Sequence, residues 1–144
     1  MTRTSIAPIQ LTLQTTVDVA RVWEYLVDPG CVAEWLTDAS TLGAVGDLYR
    51  LDFGEGSIVE GPIVALDPGR RFAYRWSWID AEPLQETLVT WTLRPSDSGG
   101  AEIELVHDGW DEAGADSAQR DDHEAYWSGY LDDLRDVLEE VAGS

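Results

Sequence analysis

Lysine is absent from this chain, cysteine and methionine occur once each, and histidine twice. With Cys31 alone no intrachain disulfide can form, which fits a reducing compartment and points to the cytoplasm. Cys31 lies beside a helix end, where a thiolate gains some stabilisation, but a buried, inert thiol is the plainer reading. His107, His123 and Cys31 are too dispersed for a structural zinc site. His123-Glu124 has no second histidine one turn later, so it is not the zinc-protease pattern. No apolar run approaches the ~20 residues of a membrane span. The start, Met1 to Pro8, has no apolar core behind Arg3, so a signal peptide is not expected. Gly54-x-Gly56 and Gly99-Gly100 do not precede helices, so neither is a phosphate loop. No cofactor and no metal are expected.

Positive charge is the scarcest commodity. Nine arginines stand against 28 Asp and Glu, leaving a formal charge of −19. Such a field repels phosphate backbones and anionic bilayers, so nucleic acid is excluded as a natural partner. Two readings of the acidity stay open: a surface that keeps the protein soluble, or adaptation to high salt, where screening removes the self-repulsion.

What the chain has in excess is tryptophan, seven in 144 residues. A single domain over residues 1–144 is expected from the length. Side chains alternate along a strand, so Arg71 to Trp78 read as one strand places Phe72, Tyr74, Trp76 and Trp78 on one face. Ile6 to Thr15 is a first strand around Ile9, Leu11 and Leu13. Asp18 is a helix N-cap, followed by Val19, Val22, Trp23, Leu26 and Val27 on one helical face. Asp28-Pro29-Gly30 ends that helix, and a second short one covers Cys31 to Leu36 with Trp35 inward. Further strands run from Leu48 to Phe53 and from Ser57 to Leu66, joined by a Gly54-Glu55-Gly56 turn. Gly61-Pro62 within the second marks a bulge or an edge. After the aromatic strand and an Ala81-Glu82-Pro83 loop come strands with Val89, Trp91 and Leu93, and with Ala101, Ile103, Leu105 and His107, turned by Ser96 to Gly100. Asp108 to Gln119 is a loop interrupted by Trp110. A long helix over about 117–142 carries the stripe Trp127, Leu131, Leu134, Leu138, flanked by Tyr130, Val137 and Val141. This order implies an α+β fold, an antiparallel sheet packed on one long helix.

These pieces taken in order resemble the START-like superfamily, also called SRPBCC or Bet v 1-like, with its helix-grip fold. They are Val22-Trp23 with Leu26, Asp28-Pro29 and Trp35; Gly46; Gly61 before Asp67-Pro68; Arg71-Phe72-Ala73-Tyr74-Arg75-Trp76; Gly99-Gly100; and Trp127 with its leucines. Within the superfamily the chain resembles the group homologous to the C-terminal domain of heat-shock protein 90 ATPase activators. The resemblance implies a seven-stranded curved sheet gripping the C-terminal helix around a cavity, with two short helices after the first strand. It implies no one activity, since the superfamily includes carriers, cyclases, receptors and oxygenase domains. The chain is too short to add the N-terminal domain of the eukaryotic co-chaperones, so a chaperone partner is only weakly implied; a homodimer is left open.

The expected site is the aromatic wall, with polar groups to orient a ligand: Trp35, Tyr74, Trp76, Trp78, Trp91, His107, Trp110, Tyr126, Trp127 and Tyr130. Its plain alternative is core packing. His107 could act as a general base or be a hydrogen-bonded strand-end residue; no nucleophile motif accompanies it. Three functions follow in order of preference. The first is non-enzymatic binding of a small hydrophobic or aromatic molecule between sheet and helix. The second is a cyclase- or hydrolase-like enzyme in the same cavity, with no catalytic residue assigned beyond His107 or an inward carboxylate as candidates. The third is a regulatory or chaperone-cofactor interaction module.

Overall fold

The computed structural model describes residues 6–81, 84–97 and 99–143. Glu82 and Pro83 of the expected loop, Ser98 of the expected turn, and Met1 to Ser5 lie outside the described residues. Ten elements follow one another: β1 (Ile9–Thr15), α1 (Val19–Val27), α2 (Pro29–Val32), β2 (Asp38–Ala39), β3 (Leu48–Asp52), β4 (Ile58–Asp67), β5 (Arg71–Trp76), β6 (Thr87–Pro95), β7 (Ala101–Asp108) and α3 (Ser117–Ala142). The seven strands form one antiparallel sheet in the order β1-β7-β6-β5-β4-β3-β2. It curls as a half-barrel around α3, the helix-grip arrangement.

Period-two patterning decides which face of the sheet is covered. In β6, Thr87, Val89, Trp91 and Leu93 are buried, and in β7 Ala101, Ile103, Leu105 and His107, while the residues between them are partly exposed. The register places Trp91 opposite Leu105 and Val89 opposite His107. Against this face α3 lays Trp127, Leu131, Leu134 and Leu138, all buried. Burying such side chains stabilises the fold by about 1.5–3 kcal/mol each. The helix starts cleanly because Asp116 and Gln119 form a reciprocal capping box, each side chain meeting the other's backbone N–H.

Three local expectations are corrected. The short helix spans 29–32, not 31–36, because Asp28 serves two helices at once. Its backbone N–H closes α1 on Glu24, and its carboxylate accepts from Gly30 N–H, so Pro29 opens α2 at the position where its missing N–H costs nothing. Trp35 nevertheless turns inward and donates its indole N–H to the Tyr25 carbonyl at 2.7 Å.

Gly61-Pro62 is neither an edge nor the bulge. β4 lies between β3 and β5, and its register slips between Ile63 and Ala65, two residues later. Gly61 has a different reason to be glycine: a Cβ there would collide with the backbone carbonyl of Arg75 on the neighbouring strand.

The aromatic strand also stops early, at Trp76. Trp76 still pairs with Thr87 of β6. Beyond it the chain leaves β6 and follows β4, where Glu60 N–H bonds to Ser77 O and Val59 faces Trp78 in an isolated bridge. Alternation fails with it, since Ala73 and Ser77 on the opposite face are also buried.

Candidate functional site

The break after Trp76 builds the site. Past Trp76 the chain no longer pairs with β6, and Trp78 stays bridged to Val59 of β4 beside Trp76. The β3–β4 turn closes one side of the site and the first half of α3 the other. The resulting pocket encloses about 630 Å³ and is lined by Phe53, Gly54, Glu55, Ser57, Trp76, Trp78, His123, Tyr126, Trp127 and Tyr130. The turn that supplies its rim is unusual in carrying three consecutive positive φ angles, 91° at Gly54, 55° at Glu55 and 82° at Gly56.

Five rings form a continuous bowl at the base. Trp78 meets Phe53 at 5.4 Å between centroids, Phe53 meets Tyr130 at 6.1 Å, and Tyr130 meets Trp127 at 6.3 Å. Trp127 meets Trp76 at 5.2 Å, and Trp76 returns to Trp78 at 5.7 Å with the planes perpendicular. Inclined contacts of this kind are favourable for π systems, so the bowl holds its shape without a ligand.

A hydrogen-bonded chain locks the bowl from beneath. Trp127 donates its indole N–H to His107 Nδ1 at 3.0 Å, which fixes the proton of His107 on Nε2. That Nε2 lies 2.7 Å from Thr87 Oγ1, and the Thr87 hydroxyl donates to the Trp76 carbonyl at 3.3 Å. Trp110 covers the other face of His107, 4.3 Å between centroids, and donates to the His107 carbonyl at 3.0 Å. His123 is held in a matching way: Nδ1–H donates to the Gln119 carbonyl at 2.7 Å, and Nε2 accepts from the Trp78 indole at 3.1 Å. Trp76 Nε1 is the buried side-chain polar atom that has no hydrogen-bond partner among the described residues. Rings of Phe53, Trp78, His107, His123 and Trp127 surround the Trp76 indole.

Burial pushes His107 well below its ordinary range, with the nearby His123 adding to the effect; burial also lowers His123. Both are therefore neutral at pH 7. The unfolded chain takes up protons near pH 6.5 while folded His107 does not, so its contribution to stability is full above 6.5 and is lost as pH falls below it. The slope is up to about 1.4 kcal/mol per pH unit for each such group. The expected result is that the imidazole C–H resonances of His107 hold their neutral positions down to the onset of acid unfolding. A titration midpoint near 6.5 would mean that the ring is wet.

Of the ten residues expected from the sequence, the pocket brings together Trp76, Trp78, Tyr126, Trp127 and Tyr130. His107 and Trp110 sit one layer below. Trp35, Tyr74 and Trp91 lie in the core away from it: Trp91 packs edge-on against Trp35 and donates to the Tyr74 hydroxyl at 3.4 Å, and Tyr74 rests on Tyr49. Burial drives the Tyr74 and Tyr49 hydroxyls far above the usual tyrosine range. Sequence reasoning missed Phe53, Gly54, Glu55, Ser57 and His123. Phe53 shared the inward alternation of Tyr49 and Leu51, so its signal was present, whereas His123 has only its place one helical turn before Trp127 to mark it. Burial, then Asp28, also pushes the Cys31 thiol upward, which disfavours a thiolate there. Among the described residues no cluster of His, Cys, Asp and Glu could hold a metal ion, and no helix is long and apolar enough to cross a membrane.

Known structures share this fold. A protein of the dynemicin biosynthetic locus, DynU16, superimposes with a TM-score of 0.80 at 25% identity over 92% of this chain; the chain spans 47% of that protein's length. Protein MLL2253 from Mesorhizobium loti gives 0.82 at 19% identity, covering 93% of this chain and 98% of the other. The Aha1 dimer from Colwellia psychrerythraea gives 0.77 at 18%, covering 92% and 96%. No curated protein matches by sequence. One family model does, over residues 16–139, from the residue after β1 to the last turn of α3, and by that match the chain belongs to the family of activator of Hsp90 ATPase homolog 1-like proteins.

Proposed function

We propose that this protein binds a small hydrophobic or aromatic molecule in the pocket between the β3–β4 turn, the end of β5 and α3, without transforming it. The observation that carries this reading is the preformed aromatic bowl, open at about 630 Å³, within the usual size of small-molecule sites. An interaction module of the chaperone-cofactor kind would instead call for a collapsed cavity. An enzyme would need a titratable group set inside the cavity to exchange protons with the ligand. His107 is fully buried and spends both ring nitrogens on Trp127 and Thr87, His123 spends both on Gln119 and Trp78, and the carboxylate of the lining, Glu55, stands on the exposed rim turn.

The test is a titration with a neutral apolar dye such as Nile red. Binding quenches tryptophan emission through Trp76, Trp78 and Trp127 and raises the thermal midpoint, through a stabilisation of about 2.7 kcal/mol at a hundredfold excess over Kd. Trp78→Ala weakens it, whereas Tyr74→Phe, in the core, leaves it unchanged. The recovered ligand is chemically intact. If a varied panel of apolar compounds produces neither quenching nor stabilisation, the interaction-module reading replaces this one. The dimer solved for the Colwellia relative supports the same assembly here, which light scattering of the purified protein decides.

A further inference from the structure

We propose that the pocket selects organic cations: an aromatic or apolar molecule carrying an ammonium group, seated over the five-ring bowl with its charge toward Glu55. This rests on the ligand-binding reading above and names the chemistry it favours.

Three observations converge on it. First, the lining contains no arginine, and lysine is absent from the chain, so nothing in the wall can neutralise a carboxylate or phosphate. His123, the remaining basic group there, is held neutral by burial. Second, the wall is built from the rings of Phe53, Trp76, Trp78, Trp127 and Tyr130, joined in one circuit with interplanar angles of 42° to 90°. Aromatic rings clustered around one volume attract a cation that reaches a π face, most strongly for tryptophan and for quaternary ammonium. Third, the charge that does face the pocket is negative. Glu55 is the acidic residue of the lining, and it is also the sole non-glycine with positive φ among the described residues. A glycine would hold that backbone at lower cost, yet a carboxylate stands there, between two glycines, at the rim. Asp122 and Asp133 act electrostatically on the lining residues His123 and Tyr130 and carry the same sign. With a formal charge of −19 behind it, the opening draws cations in and turns anions away.

The experiment compares three ligands on one skeleton: 2-(1-naphthyl)ethylamine, protonated at pH 7; 1-ethylnaphthalene, neutral; and 1-naphthylacetate, an anion. Each is measured by equilibrium dialysis against the full chain. The cation is expected to bind more tightly than the neutral compound by between about twofold and thirtyfold, the range for a cation over exposed to desolvated ring faces. The anion is expected to be the weakest. Glu55→Gln, in an exposed turn, and Phe53→Leu, which keeps apolar area but removes a ring face, should each shrink the margin. If the neutral compound binds as well as the amine, the cation proposal fails while the pocket stands. If none of the three binds, the ligand-binding reading itself has failed. An amine preference that survives both variants unchanged reflects the general acidic surface, and that also overturns the proposal.

Discussion

Trp127→Ala should unfold this protein at moderate temperature. Trp127 is 2% exposed at the centre of α3, against Trp76, Trp91, His107 and Tyr130. Truncating a buried tryptophan costs about 3–5 kcal/mol through lost transfer energy and the cavity left behind. Here a polar penalty adds to the cavity, because His107 Nδ1 loses its donor in a dry interior. Domains of this size hold about 5–15 kcal/mol in total, and 1 kcal/mol moves the midpoint by about 4 °C. The measurement is a calorimetric or circular-dichroism melt, expected to fall by more than about 10 °C. Two conservative variants separate the contributions. Trp127→Phe keeps an aromatic ring but orphans His107, whereas Trp76→Phe removes a donor that already lacks a partner. The first should therefore cost more than the second, although both lose the same volume. Equal losses would mean that only ring size matters and that the Trp127–His107–Thr87 chain adds no stability.

That chain explains much of what the sequence could and could not disclose. The stripe on α3 and the alternation of β6 and β7 were legible because a buried face imposes its period on the residues that form it. Leu131, Leu134 and Leu138 could hardly face elsewhere. Alternation also identified Trp76 and Trp78 as inward, but it carried Tyr74 and Trp91 with them, since period two assigns a face and not a depth. Which residues on that face lie under α1 and the Trp35 turn, and which lie under the open half of α3, depends on where the helices come to rest. Their placement follows from the double use of Asp28 and from the register slip after Ile63, neither of which leaves a periodic trace. The pocket itself depends on the chain leaving β6 at Ser77. A run of eight residues with unbroken alternation gives no hint of that departure. His123 was hidden for another reason: a lone histidine near a helix start carries no motif, and it becomes a wall residue only once Trp78 donates to it.

Salt should stabilise this protein steadily from low ionic strength to molar NaCl. The arithmetic of the surface leaves little alternative, with 28 acidic residues against nine arginines. The eight ion pairs among the described residues each have at least one partner with 40% or more of its side chain exposed, so each contributes about 0–1 kcal/mol. α3 concentrates the imbalance. It bears Asp121, Asp122, Glu124, Asp132, Asp133, Asp136, Glu139 and Glu140 against Arg120 and Arg135, with no basic residue in its last turn. Glu139 and Glu140 stand where the helix dipole disfavours negative charge. Repulsion along α3 and its unfavourable end both weaken with ionic strength, as the Debye length shrinks from about 30 Å at 0.01 M to about 3 Å at 1 M. The element that relaxes is the one that closes the core through Trp127, so the gain appears in global stability and not merely in fraying. Melting curves in NaCl and KCl should coincide at equal ionic strength, and sucrose at matched osmolality should lack the steep initial rise, since it screens nothing. A flat curve would mean that local pairing already balances the acidic surface. The short-range pairs of Arg120 and Arg135 with their neighbours on α3 would then matter more than the net charge.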